Sequence, residues 1–303
     1  MTRFELILSD LRHAWRSLVR MPVLASVVIL SLGVGIGVNT AIFSWIQAVL
    51  LKPIPGVRGG ASFHFVEPRG EDNSYPGVSW LEYQDLRERL RSFRDLMAFR
   101  MVALNLGDPG RAERTYGQLV SANFFSSLGL TPQLGRFFTA DEVARPGSAP
   151  VVVVSHGFWQ SRLAGAPNAV GRTLRVNDRE LTIIGVAPPR FQGTVLSLSF
   201  DLWLPATLAP VLLAGSRELE ERSSRGYSVM GRLVPSASPA QAQTELDGVM
   251  RELARMYPAT NEEITGAVLA FSQAPRGPQG FLLPALAILQ AIMLLLLLAV
   301  CAN

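Results

Sequence analysis

The chain has 303 residues, of which 49% are apolar and only 17% are charged. An ordinary soluble domain has about 25% charged residues, so this composition excludes a disordered or acidic-tail protein. The net charge is +4, and no basic stripe alternates with aromatic side chains, so a nucleic-acid partner is not expected. Cys301 is the sole cysteine, which excludes an intrachain disulfide and a cysteine-based zinc site.

Two long runs without a charged residue lie near the ends of the chain, at 21–51 and 277–303. Each exceeds the roughly 20 residues that a helix needs to cross a bilayer, so both are predicted transmembrane helices. The first run is too long for the apolar core of a cleaved signal peptide, which has about 7 to 15 residues. Arginines cluster before this run, so the positive-inside rule places the N-terminus in the cytoplasm and the segment between the spans outside.

Residues 1–20 have the pattern of an amphipathic helix that lies on the inner membrane surface. Arg12 and Arg16 would meet anionic lipid headgroups, and Trp15 would lie at the membrane interface. The helix is either an anchor or a lever that touches a cytoplasmic partner, and the anchor is favoured. The predicted domain order is this helix at 1–20, a transmembrane helix at 21–51, an external segment at 52–280 and a second transmembrane helix at 281–303.

The first predicted span carries small and polar residues among its apolar ones, namely Gly33, Gly35, Gly37, Asn39, Thr40, Ser44 and Gln47. Small residues allow helices to approach closely, and amides can hydrogen-bond between helices in lipid. These residues are therefore candidates for helix packing and coupling, with a substrate path as the less favoured alternative. The alternating glycines are not interpreted as a phosphate loop, because they lie inside an apolar helix that no strand precedes.

The external segment has the pattern of mixed α and β structure. Helical spacing extends from Trp80 to Met97, and the four valines at 151–154 predict a buried strand followed by a helix. Asn177 and Asp178 predict a hairpin turn, since both residues tolerate positive φ.

The end of this segment predicts one more helix and one more strand. Ser238, Pro239 and Gln241 form an N-cap pattern for a helix that runs to Tyr257. A strand is expected at 263–271. Strands and helices in mixed order indicate an α+β domain, or two subdomains, carried on the two membrane helices.

Signs of catalytic or cofactor chemistry are absent from the sequence. His13, His64 and His156 lack metal-ligand spacing, and the adjacent Ser155 and His156 do not make a catalytic triad. A Walker A loop requires a lysine, and the sole lysine, Lys52, lies outside any such motif. We expect no metal, no cofactor and no enzymatic activity in this chain, so any ATP would be bound and hydrolysed by a partner subunit.

Three stretches occur together in a characteristic order. They are 10–53, which includes the alternating glycines and Asn39; a set of segments at 118–138, 151–159, 170–174 and 184–188; and 299–303. Together they resemble the permease subunits of MacB-type ABC transporters, in particular the long duplicated permeases with a MacB-like periplasmic core domain and an FtsX-like domain.

The resemblance implies an α+β extracytoplasmic domain of two subdomains, one inserted in the other at roughly 121–222, carried on two transmembrane helices. It implies a multi-pass protein of the bacterial inner membrane in which a separate cytoplasmic ABC ATPase drives periplasmic movement, in efflux or lipoprotein extraction. A homodimer or a pseudo-dimer with a second permease half, and a further partner in the periplasm, are also implied. Because the family has at least four spans, we expect this chain to be the N-terminal part of a longer protein.

Two other function classes remain as alternatives to the permease. One is a membrane-anchored sensor whose external domain binds a ligand and whose signalling module lies beyond Asn303. The other is an external hydrolase on a membrane anchor, which is less favoured because the sequence spacing assembles no nucleophile, base and orienting group.

Overall fold

The structure is a computed structural model and describes residues 21–51, 54–108, 110–195, 198–273 and 279–302. It divides into two compact units. One unit contains the two apolar helices, and the other contains the segment between them.

The first apolar run forms one long helix, α1 (Pro22–Leu51). Proline is well suited to the first turn of a helix, where its missing N–H group is not needed. Within α1, the segment Ala25–Ser44 is long and apolar enough to cross a membrane.

Eleven strands of the described chain form a single mixed sheet. They are β1 (Phe63–Gly70), β2 (Val78–Ser79), β3 (Phe93–Leu106), β4 (Glu113–Val120), β5 (Leu134–Gly135), β6 (Val151–Val154), β7 (Thr173–Val176), β8 (Arg179–Val186), β9 (Leu202–Pro205), β10 (Arg225–Leu233) and β11 (Ile264–Ala270). The main order is β11-β1-β10-β3-β4-β9-β6-β8-β5, and most neighbouring strands are antiparallel. The pairs β4–β9 and β6–β8 are parallel.

The helices of this second unit pack around the sheet. They are α2 (Trp80–Arg89), α3 (Phe124–Ser127), α4 (His156–Arg162), α5 (Ala209–Leu212), α6 (Pro239–Met256) and α7 (Pro258–Asn261). Short 3₁₀ turns lie at Gly60–Ser62, Asp141–Val143, Ala206–Leu208 and Phe271–Gln273. The mixed α/β character predicted from the sequence is therefore confirmed.

The second apolar run forms α8 (Gln279–Ala302). The apolar segment found within it, Pro284–Leu296, is shorter than the roughly 20 residues that a span requires. The described residues therefore contain one helix that passes the length and composition test for a membrane span, α1. The second span stays a prediction.

The chain enters the sheet at β1 and leaves it at β11, and these two strands pair with each other. His64 near the start of β1 lies opposite Ala270 at the end of β11. Strands β5 to β9 all come from the region 121–222, which was predicted to be an inserted subdomain. The 14-residue strand β3 pairs with β10 and β4, so it joins the strands from the ends of the segment to those from its middle. The subdomain boundaries stay a prediction.

Several local predictions agree with the structure. Strand β6 is fully buried, and Ser155 caps α4 by accepting a hydrogen bond from the Phe158 N–H group at 2.9 Å. Asn177 and Asp178 have φ values of 45° and 61° and connect β7 to β8 as a hairpin. Helix α6 starts with a complete capping box, in which Ser238 and Gln241 bond to each other's backbone N–H groups.

The helix predicted from Trp80 to Met97 is wrong beyond residue 89, because α2 ends there and β3 begins at Phe93. The carboxylate of Glu245, on α6, accepts hydrogen bonds from the N–H groups of Arg91 and Ser92 at 2.7 and 2.8 Å. These bonds replace those that a continuing helix would have made. Burial raises the pKa of Glu245, but the hydrogen bonds outweigh this effect and hold the pKa below its usual value.

The ion pair between Arg136 and Glu142 makes the folding stability of the unit depend on pH in the acidic range. The guanidinium donates two hydrogen bonds to the carboxylate, at 2.6 and 2.8 Å, and lowers the pKa of Glu142 to about 2. A group whose pKa is lowered on folding contributes stability above its unfolded pKa and loses it as the pH falls through the folded pKa. The contribution is therefore lost between about pH 5 and pH 2.

We expect Glu142→Gln to lower the free energy of unfolding at pH 7 by about 1–3 kcal/mol, a range that allows for screening at the half-exposed Arg136. The loss should shrink as the pH falls towards 2, because the wild-type carboxylate is protonated there. Urea unfolding of both proteins across this pH range measures the effect. Glu180→Gln, which changes an exposed glutamate of β8, is the matched control. A pH-independent difference between Glu142→Gln and wild type would contradict the prediction.

Candidate functional site

A hydrogen bond between two amide side chains joins α1 to α8 in the unit of the two apolar helices. The Gln290 Nε2 donates to the Asn39 Oδ1 at 2.6 Å, and the Asn39 Nδ2 donates to the Gly35 carbonyl at 2.9 Å. Residues 21–51 and 279–302 contain no charged side chain, so these amides lie in apolar surroundings. An interhelical amide bond in lipid stabilises a helix pair because the alternative is an unsatisfied polar group in hydrocarbon.

The less exposed positions of α1 form one stripe along the helix. They recur at intervals of three, four and seven residues and are Ala25, Leu32, Gly35, Asn39 and Ile42. Such spacing places them on a single helix face. On α8, the half-buried positions Leu286, Gln290 and Met293 follow the same rule. The amide bond therefore joins the half-buried stripes of the two helices.

Four other predicted residues of α1 form a second stripe, which is exposed. They are Gly33, Gly37, Thr40 and Ser44. A Cβ atom added at Gly33 or at Gly37 would meet nothing within 4 Å. The hydroxyls of Thr40 and Ser44 donate to carbonyls four residues earlier, each at 2.8 Å, so their hydrogen bonds are made within the helix.

The structure thus divides the predicted packing residues into two groups. Gly35 and Asn39 lie on the stripe that contacts α8 through the amide bond. The second stripe is a narrow surface of small residues that is exposed within the part of the chain that the structure describes. Gln47 lies in the same helix. Arg12, Trp15 and Arg16 lie outside the described residues.

Sequence reasoning missed Gln290, although a signal was present. It is the sole polar side chain between Phe281 and Val300. Polar residues inside a long apolar run are costly in a membrane, so an isolated amide there indicates a hydrogen-bonded contact with another helix.

The unit between the two apolar helices contains a buried ion pair that connects α2 to the start of β10. Glu82 on α2 is fully buried and pairs with Arg225 at the start of β10 at 2.5 Å. The Asn261 Nδ2 donates to the same carboxylate at 2.8 Å. Arg225 also donates to the carbonyls of Gly77 and Thr260, each at 3.2 Å. These contacts connect three separate segments of the chain, at 77–82, 225 and 260–261.

The two histidines of this unit, His64 and His156, contact residues that are close to them in the sequence. The His64 ring lies 3.2 Å from the Ser62 carbonyl, and the His156 ring contacts the Trp159 ring edge-on, with 5.4 Å between centroids. Within the described part of the chain, no three His, Cys, Asp or Glu side chains lie close enough together to hold a metal ion.

Residues 25–249 match a family described as the MacB-like periplasmic core domain. The chain is similar to the macrolide export ATP-binding/permease protein MacB of Burkholderia thailandensis, with 27% identity over 127 residues, or 42% of this chain. MacB of Burkholderia pseudomallei is also 27% identical, over 130 residues. The aligned region spans only 18% of the length of each relative.

A solved structure shows the same fold. The crystal structure of the periplasmic region of MacB from Actinobacillus actinomycetemcomitans matches with a TM-score of 0.53 and 15% sequence identity. The match covers 74% of this chain and 92% of that one. The family consists of inner-membrane transporters with a periplasmic domain. Because the family match covers most of its length, the chain belongs to the MacB-like periplasmic core domain family and is therefore a MacB-type ABC transporter permease.

Proposed function

We propose that the protein is a permease subunit, or the N-terminal part of one, in a MacB/FtsX-type ABC transporter. A separate cytoplasmic ATPase hydrolyses ATP, and this chain converts the hydrolysis into movement of its periplasmic domain, which drives efflux or the extrusion of a lipoprotein or another substrate. The observation that carries the proposal is the family's core domain set between two apolar helices. The lack of a Walker A lysine supports placing ATP hydrolysis on a different chain.

The amide bond between α1 and α8 is a physical means by which the helices could pass movement to the periplasmic domain. Movement that starts at the cytoplasmic ends of the helices reaches the periplasmic domain only if the helices move as one body. The bond between Asn39 and Gln290 opposes sliding of α1 along α8, because sliding would leave two amides unsatisfied in lipid. The predicted amphipathic helix at 1–20 would be the contact with the ATPase.

The exposed stripe of Gly33, Gly37, Thr40 and Ser44 supports a further membrane-helix partner. Gly33 and Gly37 are four residues apart, the spacing at which small residues let two helix backbones approach closely. We assign this surface to a helix of a second permease, in a homodimer or in a pseudo-dimer with a second permease half. The multi-pass topology in the inner membrane is part of the same proposal.

The test is ATPase stimulation in reconstituted membranes. Proteoliposomes that contain the full chain and its ABC ATPase should hydrolyse ATP faster than those with the ATPase alone. Deletion of residues 1–20 should abolish the stimulation, and Asn39→Leu should reduce it about threefold to twentyfold, since one interhelical hydrogen bond in lipid contributes about 0.6 kcal/mol on average and about 1.7 kcal/mol at most.

The matched control is Val34→Leu, which changes an exposed apolar side chain of α1. It should leave the stimulation unchanged, and both point variants should insert into the membrane as well as wild type. Full stimulation after deletion of 1–20 would overturn the coupling role of that segment. Full stimulation in Asn39→Leu would overturn the role of the amide bond.

A further inference from the structure

A cleft of 380 Å³ opens beside α2 in the extracytoplasmic unit. Its walls come from α2, from the residues that follow β4 and β9, and from the 3₁₀ turn at Asp141–Val143. Pockets that bind small molecules have volumes of about 300–1,000 Å³. The cleft therefore matches a compact ligand of roughly the size of an amino-acid derivative.

One wall of the cleft is an aromatic surface whose position is fixed. The half-buried ring of Trp80 packs against Tyr83 and Tyr227, with centroid distances of 5.1 and 5.4 Å. Val120, Val143 and other small apolar side chains line the space around it. A rigid indole beside aliphatic side chains favours a ligand with a flat apolar body.

Three residues that line the cleft carry a hydroxyl group, and two of these hydroxyls already have partners. The Tyr83 hydroxyl lies 3.2 Å from the Leu96 carbonyl, and the Ser121 Oγ donates to the Asn123 Oδ1 at 2.7 Å. The Thr207 Oγ1 is buried and has no hydrogen-bond partner among the residues that the structure describes. The Thr207 side chain thus has unused hydrogen-bonding capacity at a place that is 94% removed from solvent, as only 6% of the residue is exposed.

The cleft is lined by one basic and one acidic residue, and both are exposed. Arg87 and Glu88 are adjacent on α2, and Arg87 is also paired with Asp95 at 3.3 Å. A ligand with a net charge would therefore be attracted by one of these groups and repelled by the other. This arrangement favours a molecule without net charge.

We propose that this cleft is a binding site for a net-neutral amphiphilic small molecule. The apolar body of the ligand lies against Trp80, and a polar group of the ligand hydrogen-bonds to the Thr207 Oγ1. The site is independent of the proposed coupling to ATP hydrolysis, because it requires only the residues of the extracytoplasmic unit.

Three phenylalanine derivatives of similar size test the proposal: neutral N-acetyl-phenylalaninamide, anionic N-acetyl-phenylalanine and cationic phenylalaninamide. Binding to the full chain in lipid nanodiscs is measured by saturation-transfer NMR, and empty nanodiscs correct for partition into lipid. The neutral probe should bind more tightly than either charged probe. Tighter binding of a charged probe, or no binding of the neutral probe at millimolar concentration, would overturn the proposal.

Two variants locate the binding. Val143→Trp fills the cleft and should abolish binding, whereas Val170→Trp, at an exposed valine outside the cleft, should preserve it. Thr207→Val keeps the shape and removes the hydroxyl, so it should weaken binding of the neutral probe about fivefold to tenfold. Binding that persists in Val143→Trp would place the site elsewhere and overturn the proposal.

Stability provides a separate measurement for Thr207→Val. Because the Oγ1 has no partner in the described structure, the melting temperature should stay equal to that of wild type or rise. A lower melting temperature together with unchanged probe affinity would show that the hydroxyl has a structural role, and would exclude it as the ligand contact. Neither outcome depends on the ATPase, so a failure here is distinguishable from a failure of the proposed transport function.

Discussion

Arg225→Met should lower the free energy of unfolding by about 3–5 kcal/mol, because it leaves a buried carboxylate without its cation. The side chain of Glu82 is only 1% exposed, and that of Arg225 is 10% exposed. Removal of the guanidinium leaves Asn261 as a donor to Glu82 and takes away the bonds to the carbonyls of Gly77 and Thr260. Urea unfolding of the full chain in detergent micelles, followed by circular dichroism, measures the loss.

Two further variants separate charge burial from general damage. Glu82→Leu combined with Arg225→Met removes both charges, and it should recover most of the stability that Arg225→Met loses, since an apolar pair can replace a buried ion pair. Arg217→Met breaks an exposed pair with Glu221 and should cost less than about 1 kcal/mol. If the double variant were less stable than Arg225→Met alone, shape and hydrogen bonding would matter more than the unpaired charge.

Trp203→Ala should lower the free energy of unfolding by about 3–5 kcal/mol, because it opens a cavity in the most aromatic part of the core. Trp203, on β9, is completely buried and packs against Phe191 and Phe125, with centroid distances of 5.1 and 5.9 Å. Its Nε1 donates to the Oε1 of the buried Gln118 at 2.9 Å, and this bond is lost as well.

The variant Trp203→Phe separates the contribution of the ring volume from that of the hydrogen bond to Gln118. It keeps an aromatic ring but removes the donor to Gln118, so its cost should be about 1–3 kcal/mol, the range for leaving one buried polar atom unsatisfied. Denaturation of the full chain in detergent micelles, followed by circular dichroism, compares both variants with wild type. Equal costs for the Phe and Ala variants would mean that the hydrogen bond, and not the volume of the ring, dominates at this site.

Local signals made part of the fold predictable. The capping box at Ser238 and Gln241 and the positive-φ turn at Asn177 and Asp178 depend on residues that are close in the sequence, and both are present as expected. The aliphatic strand at 151–154 was predictable because four β-branched residues in a row disfavour a helix and fit a strand that is buried on both faces.

Strand β3 could not be predicted from the local pattern of its residues. Its residues Leu96, Met97, Ala98 and Phe99 are all buried, so the alternation that identifies a half-exposed strand is absent. The apolar spacing was also compatible with a continued helix. The backbone N–H groups that follow the helix are bound instead by the carboxylate of Glu245, which is more than 150 residues away in the sequence.

Only the part of the candidate site that lies on α1 could be predicted from the sequence. Asn39 and its small neighbours are conspicuous within an apolar run, so a packing role could be expected from the residues alone. The partner, Gln290, follows Asn39 by 251 positions, and no local pattern links the two residues. The cleft at Trp80 has the same property, because its walls come from segments that only the folded sheet brings together.

The pairing of β1 with β11 has a mechanical consequence. The two ends of the segment that connect to the apolar helices enter and leave the sheet at the same end of one antiparallel pair, where His64 lies opposite Ala270. A force that pulls the two ends apart would load the hydrogen bonds between these strands one at a time, as in opening a zipper, and would separate them easily. A force that moves both ends together leaves every bond of the pair unstretched. The β1–β11 pair would thus withstand a displacement shared by its two ends, and it would open locally under a force that drives them apart.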